Sequence, residues 1–300
     1  MHTPSPPVMP GLAERPSRVQ WSHDVLEVAG LSDVGLVRAK NEDSFYIAEP
    51  PRADLARGVL LAVADGMGGH LAGEVASSCA VDFMSTYYSD EPFDGTIEEK
   101  LSQKVVQANE TLLALAQTSQ MLEGMGTTLS SALLVENGKL VICHVGDSRI
   151  YLLREGELEA QTNDHSFVGE QVRLGLLTED EARVHPARNI ITRALGIRTR
   201  VEPELSTLDL KPGDRILLAS DGLHGYVEEA QIRQALMESP CASEAAARLV
   251  GLALDAGGMD NVTVVVATIR EIDRMIERLA DKSPGLAYAK TLPGLEEPEK

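Results

Sequence analysis

An aspartate borders each of four short aliphatic runs, and this repeated pattern constrains the fold more than any other feature of the sequence. The four are Asp65, Asp147, Asp221 and Asp260, which follow or precede the runs 59–64, 141–145, 216–219 and 262–266. Short runs rich in Val, Leu and Ile are typical of buried β-strands. Carboxylates held at strand ends, with neither His nor Cys beside them, suit a hard divalent cation such as Mg²⁺ or Mn²⁺. The pattern therefore predicts strands that deliver an all-oxygen metal site.

The residues around these aspartates favour phosphoryl chemistry. Glycines follow Asp65 and allow a ligand to approach the backbone closely. Two cations that share an aspartate lower the pKa of a bridging water and neutralise the oxygens of an attacked phosphoryl group. Such a scheme also needs a fixed cation on the phosphate. Arg38, which is close in sequence to Glu42 and Asp43, supplies a guanidinium fork that matches phosphate geometry better than a lysine does.

Composition excludes several other classes of function. A formal charge of −19 repels nucleic-acid phosphates and anionic lipids, so neither is expected as a partner. No segment approaches the roughly 18 apolar residues of a membrane span, and the first residues lack the charged and apolar regions of a signal peptide. The three cysteines are widely spaced and odd in number, which favours reduced thiols. We therefore expect a monomeric, cytoplasmic protein.

The order of the elements indicates antiparallel sheets covered by helices, because strands and helices come in groups and do not alternate strictly. Residues 1–22 are rich in Pro and Ser and are expected to form a disordered lead-in, followed by one domain over 23–270 and a C-terminal helix and flexible tail over 271–300. Strands are expected at 25–31, 45–48, 59–64, within 127–153, at 202–208, 215–219 and 262–269; helices are expected at 72–88, 97–117, 228–238, 243–256 and 270–281. Asn137-Gly138 predicts a hairpin turn, and residues 154–200 read as irregular except for a short helix after Thr178.

Eight motifs, in order between residues 25 and 269, resemble those of one enzyme family. The sequence is similar to the type 2C, metal-dependent (PPM) Ser/Thr protein phosphatases, in particular to their bacterial branch. The matching segments are Gly35-Leu36-Val37-Arg38-Ala39-Lys40-Asn41-Glu42-Asp43, Asp65-Gly66-Met67-Gly68-Gly69-His70, Gly126-Thr127-Thr128, Val145-Gly146-Asp147-Ser148-Arg149, Asp164-His165-Ser166, Ile191-Thr192-Arg193-Ala194-Leu195-Gly196, Ser220-Asp221-Gly222 and Asp260-Asn261. Any one of them is a weak signal, but eight in order are specific.

The resemblance implies an α+β fold, a four-layer α-β-β-α sandwich of two antiparallel sheets flanked by helix pairs. It also implies two Mn²⁺ or Mg²⁺ ions, with Asp65 bridging them and the Gly66 carbonyl on one of them. Asp221 and Asp260 would complete the ligands of the other ion. Asp43 would hold metal-bound water, with Glu42 as the alternative for that part.

Further roles are implied by the same resemblance. Asp147, together with Asp221, matches a third metal site of bacterial members, and Arg38 would bind the substrate phosphate. The segment 166–188 corresponds to a flap beside the active site. Where animal members carry a histidine proposed as the general acid, this chain has Met67. His70 is close in sequence, but it is interpreted as structural, and His165, His185 and His224 are interpreted as structural or exposed.

The expected function is hydrolysis of phosphoserine and phosphothreonine in proteins by a metal-bridging hydroxide, without a phosphoenzyme. The resemblance also implies phosphoprotein partners, namely a bacterial Ser/Thr kinase and its substrates. Three alternatives remain at this point. A catalytically dead phosphoprotein-binding relative would have lost a metal ligand, a small-molecule phosphatase would use the same site with a different flap, and a nuclease is disfavoured by the negative charge.

Overall fold

A computed structural model describes residues 17–48, 57–68, 72–89, 94–280 and 287–291. The strands, numbered along the chain, are β1 (Arg18–Ser22), β2 (Leu26–Asp33), β3 (Asp43–Ile47), β4 (Val59–Met67), β5 (Gly126–Thr127), β6 (Leu129–Val135), β7 (Lys139–Val145), β8 (Arg149–Arg154), β9 (Glu157–Ala160), β10 (Glu204–Asp209), β11 (Arg215–Ala219), β12 (Val262–Ile269) and β13 (Ala287–Thr291). The helices are α1 (Ala72–Ser85), α2 (Ile97–Ala116), α3 (Phe167–Arg173), α4 (Glu179–Arg183), α5 (Asp221–His224), α6 (Glu229–Glu238), α7 (Ala242–Asp255) and α8 (Met275–Ala280).

The strands form two antiparallel sheets. One sheet has the order β13-β1-β2-β12-β11-β8-β9, and the other has the order β10-β7-β6-β4-β3, with β5 paired to β4. The hairpin predicted at Asn137-Gly138 joins β6 to β7, and both residues have positive φ, 62° and 72°. Asn and Gly tolerate positive φ better than other residues do, which explains why the Asn-Gly pair predicted this turn correctly.

Alternation of side chains along the strands builds four layers. In β4, Leu61 and Val63 join the core between the two sheets, whereas Ala62 points to the opposite face, which α1 and α2 cover. In β11, Leu218 faces the core between the sheets and Leu217 packs under α6 and α7. Successive residues of a strand point to opposite faces, so a fully aliphatic strand requires a hydrophobic layer on both sides. The predicted α-β-β-α sandwich is confirmed.

Both chain ends differ from the prediction. The disordered lead-in was expected to reach residue 22, and this is wrong for Arg18–Ser22, which form β1. Trp21 is only 1% exposed, and its indole Nε1 donates a hydrogen bond of 3.0 Å to the Ala48 carbonyl. Val19 and Trp21 lie on the same face of β1 and pack into the core between the sheets. This two-residue alternation is too short to be recognised as a strand directly after a Pro-rich segment. The rest of the lead-in, residues 1–16, lies outside the described residues.

The C-terminal segment is also different from the expectation. The predicted helix over 270–281 is shorter and forms α8, Met275–Ala280. The predicted flexible tail contains β13, which pairs antiparallel with β1 over its whole length. A strand whose partner is about 270 residues away has no local signal, which explains the error. Residues 281–286 and 292–300 of the tail lie outside the described residues.

In the part of the chain that the structure describes, no helix has the length and apolar character needed to cross a lipid bilayer.

Candidate metal centre

Asp43 and Asp65 face each other across neighbouring strands. They are cross-strand partners in the register of β3 and β4, at the end of the strands where the glycines follow. Directly opposed residues on antiparallel strands have Cβ atoms about 4.5–5.5 Å apart, and like charges in such a pair are destabilising. Two carboxylates in this arrangement therefore need a proton or a cation between them.

The second sheet contributes Asp221 and Asp260 at the same rim. β11 and β12 are antiparallel neighbours, so the end of β11 and the start of β12 lie side by side. Ser220, between β11 and Asp221, donates a hydrogen bond of 2.7 Å from its hydroxyl to Asp43 Oδ2 and thereby ties the two sheets together. The carboxyl groups of Asp65 and Asp221 are hydrogen-bonded to each other, which requires a proton on one of them.

Asp147 reaches the same cluster from the turn after β7. Asp147 is buried and directly follows Gly146. The φ of Gly146 is 116°, a conformation that L side chains rarely adopt. The Gly146 backbone N–H donates to His165 Nδ1 at 3.0 Å, which holds the turn in place. Asp147 interacts electrostatically with Asp65 and with Asp221. The structure thus brings together the aspartates that the sequence proposed as ligands.

Burial and mutual repulsion raise the pKa values of these carboxyl groups. Burial, with the negative charges of Asp221 and Asp260 acting in the same direction, raises the pKa of Asp43 to about 7. Burial followed by the charge of Asp260 raises the pKa of Asp221 to about 6. The pKa values of Asp65 and Asp147 lie well above the usual range, again because of burial first and of neighbouring carboxylates second. Such a cluster is an environment in which a bound cation replaces protons.

Arg38 stands at the exposed side of the cluster. Its side chain is 52% exposed, and it donates a hydrogen bond of 2.7 Å from one terminal nitrogen to Asp260 Oδ2. The guanidinium therefore donates to a proposed metal ligand from one terminal nitrogen, and its other N–H donors face solvent. This position is compatible with the phosphate-binding role implied for Arg38, which stays a prediction.

Glu42 lies at the edge of the cluster, next to Arg38. Its backbone N–H donates to Asn261 Oδ1 at 2.8 Å, and its carbonyl accepts hydrogen bonds from Ser77 Oγ and from the Gly66 N–H. Partial burial raises the pKa of its carboxyl group. The backbone of Glu42 is fixed by three hydrogen bonds, so its side chain starts from a rigid point beside the aspartates. Its role as the alternative to Asp43 stays a prediction.

Several observations fit a metal centre. Asp43 Oδ1 is buried without a hydrogen-bond partner, as an oxygen reserved for an ion or an ion-bound water would be. At Gly66 a Cβ atom would lie 2.1 Å from the Gly73 carbonyl oxygen, so only glycine allows this backbone to pass so close to the cluster. Within the described residues, no group of three or more His, Cys, Asp or Glu side chains could hold a metal ion in its present arrangement. The donor set nevertheless suits Mg²⁺ or Mn²⁺, and ion binding would draw the carboxylates inward.

Two features of the site had no role assigned to them from the sequence. Arg149 forms a bidentate ion pair with Asp164, with both N···O distances at 2.8 Å. Both residues belong to motifs of the family pattern, but the sequence did not predict that they pair. His224, interpreted as structural or exposed, is buried beside Asp147 with its Nε2 unpartnered. The Asp-x-x-His spacing from Asp221 to His224 is the sequence feature that could have indicated that this histidine lies near the cluster. His165 is buried and hydrogen-bonded, as a structural residue would be, and His70 lies outside the described residues.

Comparisons with known proteins agree with this geometry. Residues 38–254 match the family model described as Protein phosphatase 2C. The chain is 47% identical over 249 residues to "Serine/threonine protein phosphatase PstP" of Mycobacterium tuberculosis, covering 83% of this chain and 46% of the relative. It is 35% identical over 252 residues to "Protein phosphatase PhpP" of Streptococcus pneumoniae, covering 83% of this chain and 99% of the relative.

A solved structure is similar as well. The catalytic domain of PstP in complex with two manganese ions superposes with a TM-score of 0.72 at 45% identity, covering 82% of this chain and 99% of that one. The chain spans about half the length of the first curated relatives that it matches.

Proposed function

The chain belongs to the protein phosphatase 2C family, and we propose that it is a metal-dependent phosphatase that hydrolyses phosphoserine and phosphothreonine in proteins. The observation that carries this proposal is the convergence of five aspartates from both sheets at one rim, with Arg38 beside them. The comparison with a relative that holds two manganese ions supports a dinuclear Mn²⁺ or Mg²⁺ site. PstP and PhpP are named protein phosphatases, which supports the same substrate class.

The residues have separate tasks in this proposal. Asp65, the Gly66 carbonyl, Asp221 and Asp260 would hold the two ions, Asp43 would orient bound water, and Asp147 with Asp221 would hold a third. Divalent cations in such a site acidify a water molecule and offset the charge of phosphoryl oxygens. Arg38 would grip the substrate phosphate with the guanidinium donors that do not bind Asp260. The segment 166–188, which contains α3 and α4, would act as the flap.

The setting of the enzyme is part of the proposal. The substrates would be phosphoproteins made by a bacterial Ser/Thr kinase, whose action the phosphatase opposes. Cys143 and Cys241 form no disulfide among the described residues, which supports a reducing compartment such as the cytoplasm. The net charge of −19 favours a monomer through mutual repulsion. Gel filtration with light scattering checks that expectation, because the molar mass measured across the peak of a dimer would be twice that of one chain.

A substrate panel tests the proposed function. The full chain is incubated with phosphothreonine, phosphoserine and phosphotyrosine peptides and with glucose 6-phosphate, in Mn²⁺ or in excess chelator, and released phosphate is measured. We expect hydrolysis of the first two peptides only, and only with the metal. A preference for glucose 6-phosphate would establish the small-molecule alternative instead. Full activity in chelator would refute the metal-dependent mechanism.

Replacing the guanidinium of Arg38 by an ammonium should weaken substrate binding without loss of metal. Arg38→Lys keeps the charge but removes the bidentate fork, and hydrogen bonds to charged groups contribute about 1.5–3 kcal/mol, so kcat/KM should fall about 10–100-fold. Steady-state kinetics on the phosphothreonine peptide measure the effect, and calorimetry measures Mn²⁺ affinity in parallel. Arg18→Lys, at an exposed position of β1, is the matched control. An unchanged kcat/KM in Arg38→Lys would remove Arg38 from substrate recognition.

A further inference from the structure

A cavity of about 260 Å³ opens beside the metal centre, between the segment 166–188 and α5. Its lining includes Asp147, Asp221 and His224, together with the Arg149–Asp164 ion pair. Two of these residues are the aspartates proposed to hold a third ion. The cavity therefore connects directly to that position, and its other polar groups are candidates to complete the ligand set.

His224 is the unexplained polar group of this cavity. It is only 8% exposed, and its ring is hydrogen-bonded to the backbone of Asp147. Its second ring nitrogen, Nε2, is buried and has no hydrogen-bond partner among the described residues. A neutral imidazole that donates one N–H to a backbone carbonyl presents the lone pair of its other nitrogen, and this is the usual arrangement of a metal-binding histidine. A buried lone pair without a donor calls for a ligand.

The position of His224 on α5 places it on the same side as Asp221. α5 is a single turn, Asp221–His224, and its first and last residues are three positions apart. Side chains at positions i and i+3 of a helix are neighbours on one face. A carboxylate and a histidine with this spacing form a common metal-binding pair in helical proteins. The helical turn thus offers an oxygen donor and a nitrogen donor together, while Asp147 contacts the histidine ring from the turn after β7.

Two arginines whose charges act on the His224 ring, Arg149 and Arg183, are themselves paired with carboxylates. Arg149 is bound at two points by Asp164, with distances of 2.8 Å, so its charge is balanced within the cavity wall. Arg183, which also lines the cavity, forms an ion pair with Glu228. Among the described residues, neither Asp147 nor Asp221 forms an ion pair with an arginine or a lysine. Both are buried, and the charge of Asp221 acts on Asp147 as that of Asp260 acts on Asp221. A divalent cation would neutralise them.

We propose that His224 Nε2 is a direct ligand of the third divalent cation, which it holds together with Asp147 and Asp221. The inference rests on the proposed function, because it adds a ligand to the same metal centre. An imidazole nitrogen among carboxylates shifts the preference of a site from Mg²⁺ toward Mn²⁺, since nitrogen donors suit first-row transition metals and Mg²⁺ favours oxygen. The chain would accordingly bind its third ion selectively as Mn²⁺.

Pulsed electron paramagnetic resonance of bound Mn²⁺ tests the proposal. The full, untagged, metal-free chain is titrated with Mn²⁺, and the electron spin echo is examined for coupling to ¹⁴N as the third equivalent binds. We expect ¹⁴N coupling that is replaced by ¹⁵N coupling in protein labelled with [¹⁵N]histidine. This comparison uses the wild-type chain, so it does not depend on whether a variant folds. Three bound ions without nitrogen coupling would overturn the proposal, and so would saturation at two ions.

A variant then assigns the nitrogen to His224. His224→Asn should lose the ¹⁴N coupling and lower the affinity for the third Mn²⁺ by about 100-fold or more, while the two tighter ions stay bound and show that the fold is intact. The affinity for Mg²⁺ at the same position should change little. His23→Asn replaces another buried histidine, located at the start of the β1–β2 connection, and should leave all three Mn²⁺ ions unaffected. Persistence of the coupling in His224→Asn would overturn the assignment.

The phosphothreonine peptide assay separates this inference from the proposed function. Mn²⁺-dependent phosphate release by a chain that shows no nitrogen coupling would reject the role of His224 and leave the phosphatase proposal intact. Absence of metal-dependent phosphate release would reject the proposed function itself. Nitrogen coupling at a third Mn²⁺ would still establish His224 as a ligand in that case.

Discussion

Asp221→Ala is expected to lower phosphate release from a phosphothreonine peptide about a thousandfold or more in saturating Mn²⁺. Asp221 is hydrogen-bonded to the carboxyl group of Asp65, and it interacts electrostatically with Asp260 and Asp147. Asp221 therefore interacts with every other aspartate of the cluster, as Asp65 also does. A metal ion contributes several kcal/mol of transition-state stabilisation, and about 4 kcal/mol corresponds to a thousandfold change in rate.

The comparison needs a control for the removal of one carboxylate from a helix end. Asp255→Ala removes an exposed carboxylate at the end of α7 and should retain full activity. Calorimetric titration with Mn²⁺ should show weakened binding in Asp221→Ala and wild-type binding in Asp255→Ala. A rate within about tenfold of the wild type for Asp221→Ala, with Mn²⁺ bound as usual, would show that the reaction does not use this carboxylate.

The stability of the metal-free protein should fall as pH rises from about 6.5 to 8, where the buried histidines no longer oppose the effect of the carboxylates. The folded pKa values of Asp43, Asp65, Asp147 and Asp221 are raised by burial, to about 7 for Asp43 and about 6 for Asp221, so the folded state holds protons that the unfolded chain has already released. Stability therefore falls as pH rises through the window between the unfolded value near 3.8 and the folded values. Each such proton contributes a slope of about 1.4 kcal/mol per pH unit.

Buried histidines produce the opposite slope on the acidic side. Burial lowers the pKa of His144 and of His165 to about 4 and that of His224 to about 3, so these rings stay neutral in the folded state when the unfolded chain takes up protons. Their contribution to stability is lost as pH falls below about 6.5. Above that pH the histidines are neutral in both states, and the carboxylates alone determine the slope.

Urea unfolding at about half-unit steps from pH 5 to 8 measures this profile. In chelator the free energy of unfolding should drop between pH 6.5 and 8, and in Mn²⁺ this drop should disappear because the ions favour the ionised carboxylates. Asp43→Asn should make the slope in chelator shallower, since it removes one of the titrating groups. A metal-free protein whose stability is constant or rises over this range would show that the carboxylates do not form a buried, repulsive cluster.

Local pattern was sufficient to predict the strands that carry the site. β11 and β12 were predicted with the same bounds as observed, Arg215–Ala219 and Val262–Ile269, because short runs rich in Val, Ile and Leu are typical of buried strands. The capping box of Thr178 and Glu181 likewise predicted α4. By contrast, β9 lies in a region expected to be irregular, since its residues Glu157–Ala160 are mostly exposed and their polar–apolar alternation extends over only four positions. An edge strand of this kind depends on its partner, β8.

The site was predictable as a set of residue types but not as an arrangement. The aspartates at strand ends were visible in the sequence, whereas the pairing of Asp43 with Asp65 depends on a strand register that no single segment specifies. The bond from Ser220 to Asp43 joins residues 177 positions apart and could not be inferred from spacing. The same holds for His224, because a one-turn helix has no periodicity and the contact of its ring with Asp147 exists only in the folded chain.

In the proposed mechanism, carboxylates distant in sequence meet at the rim of the β-sandwich to hold two divalent cations. Anomalous diffraction at the manganese edge, from crystals of the full chain grown in Mn²⁺, tests it most directly. We expect two anomalous peaks at the rim, with Asp65 between them, the Gly66 carbonyl on one ion, and Asp221 and Asp260 on the other. Diffraction maps without a peak at the rim, with these three carboxylates turned away from one another, would contradict it.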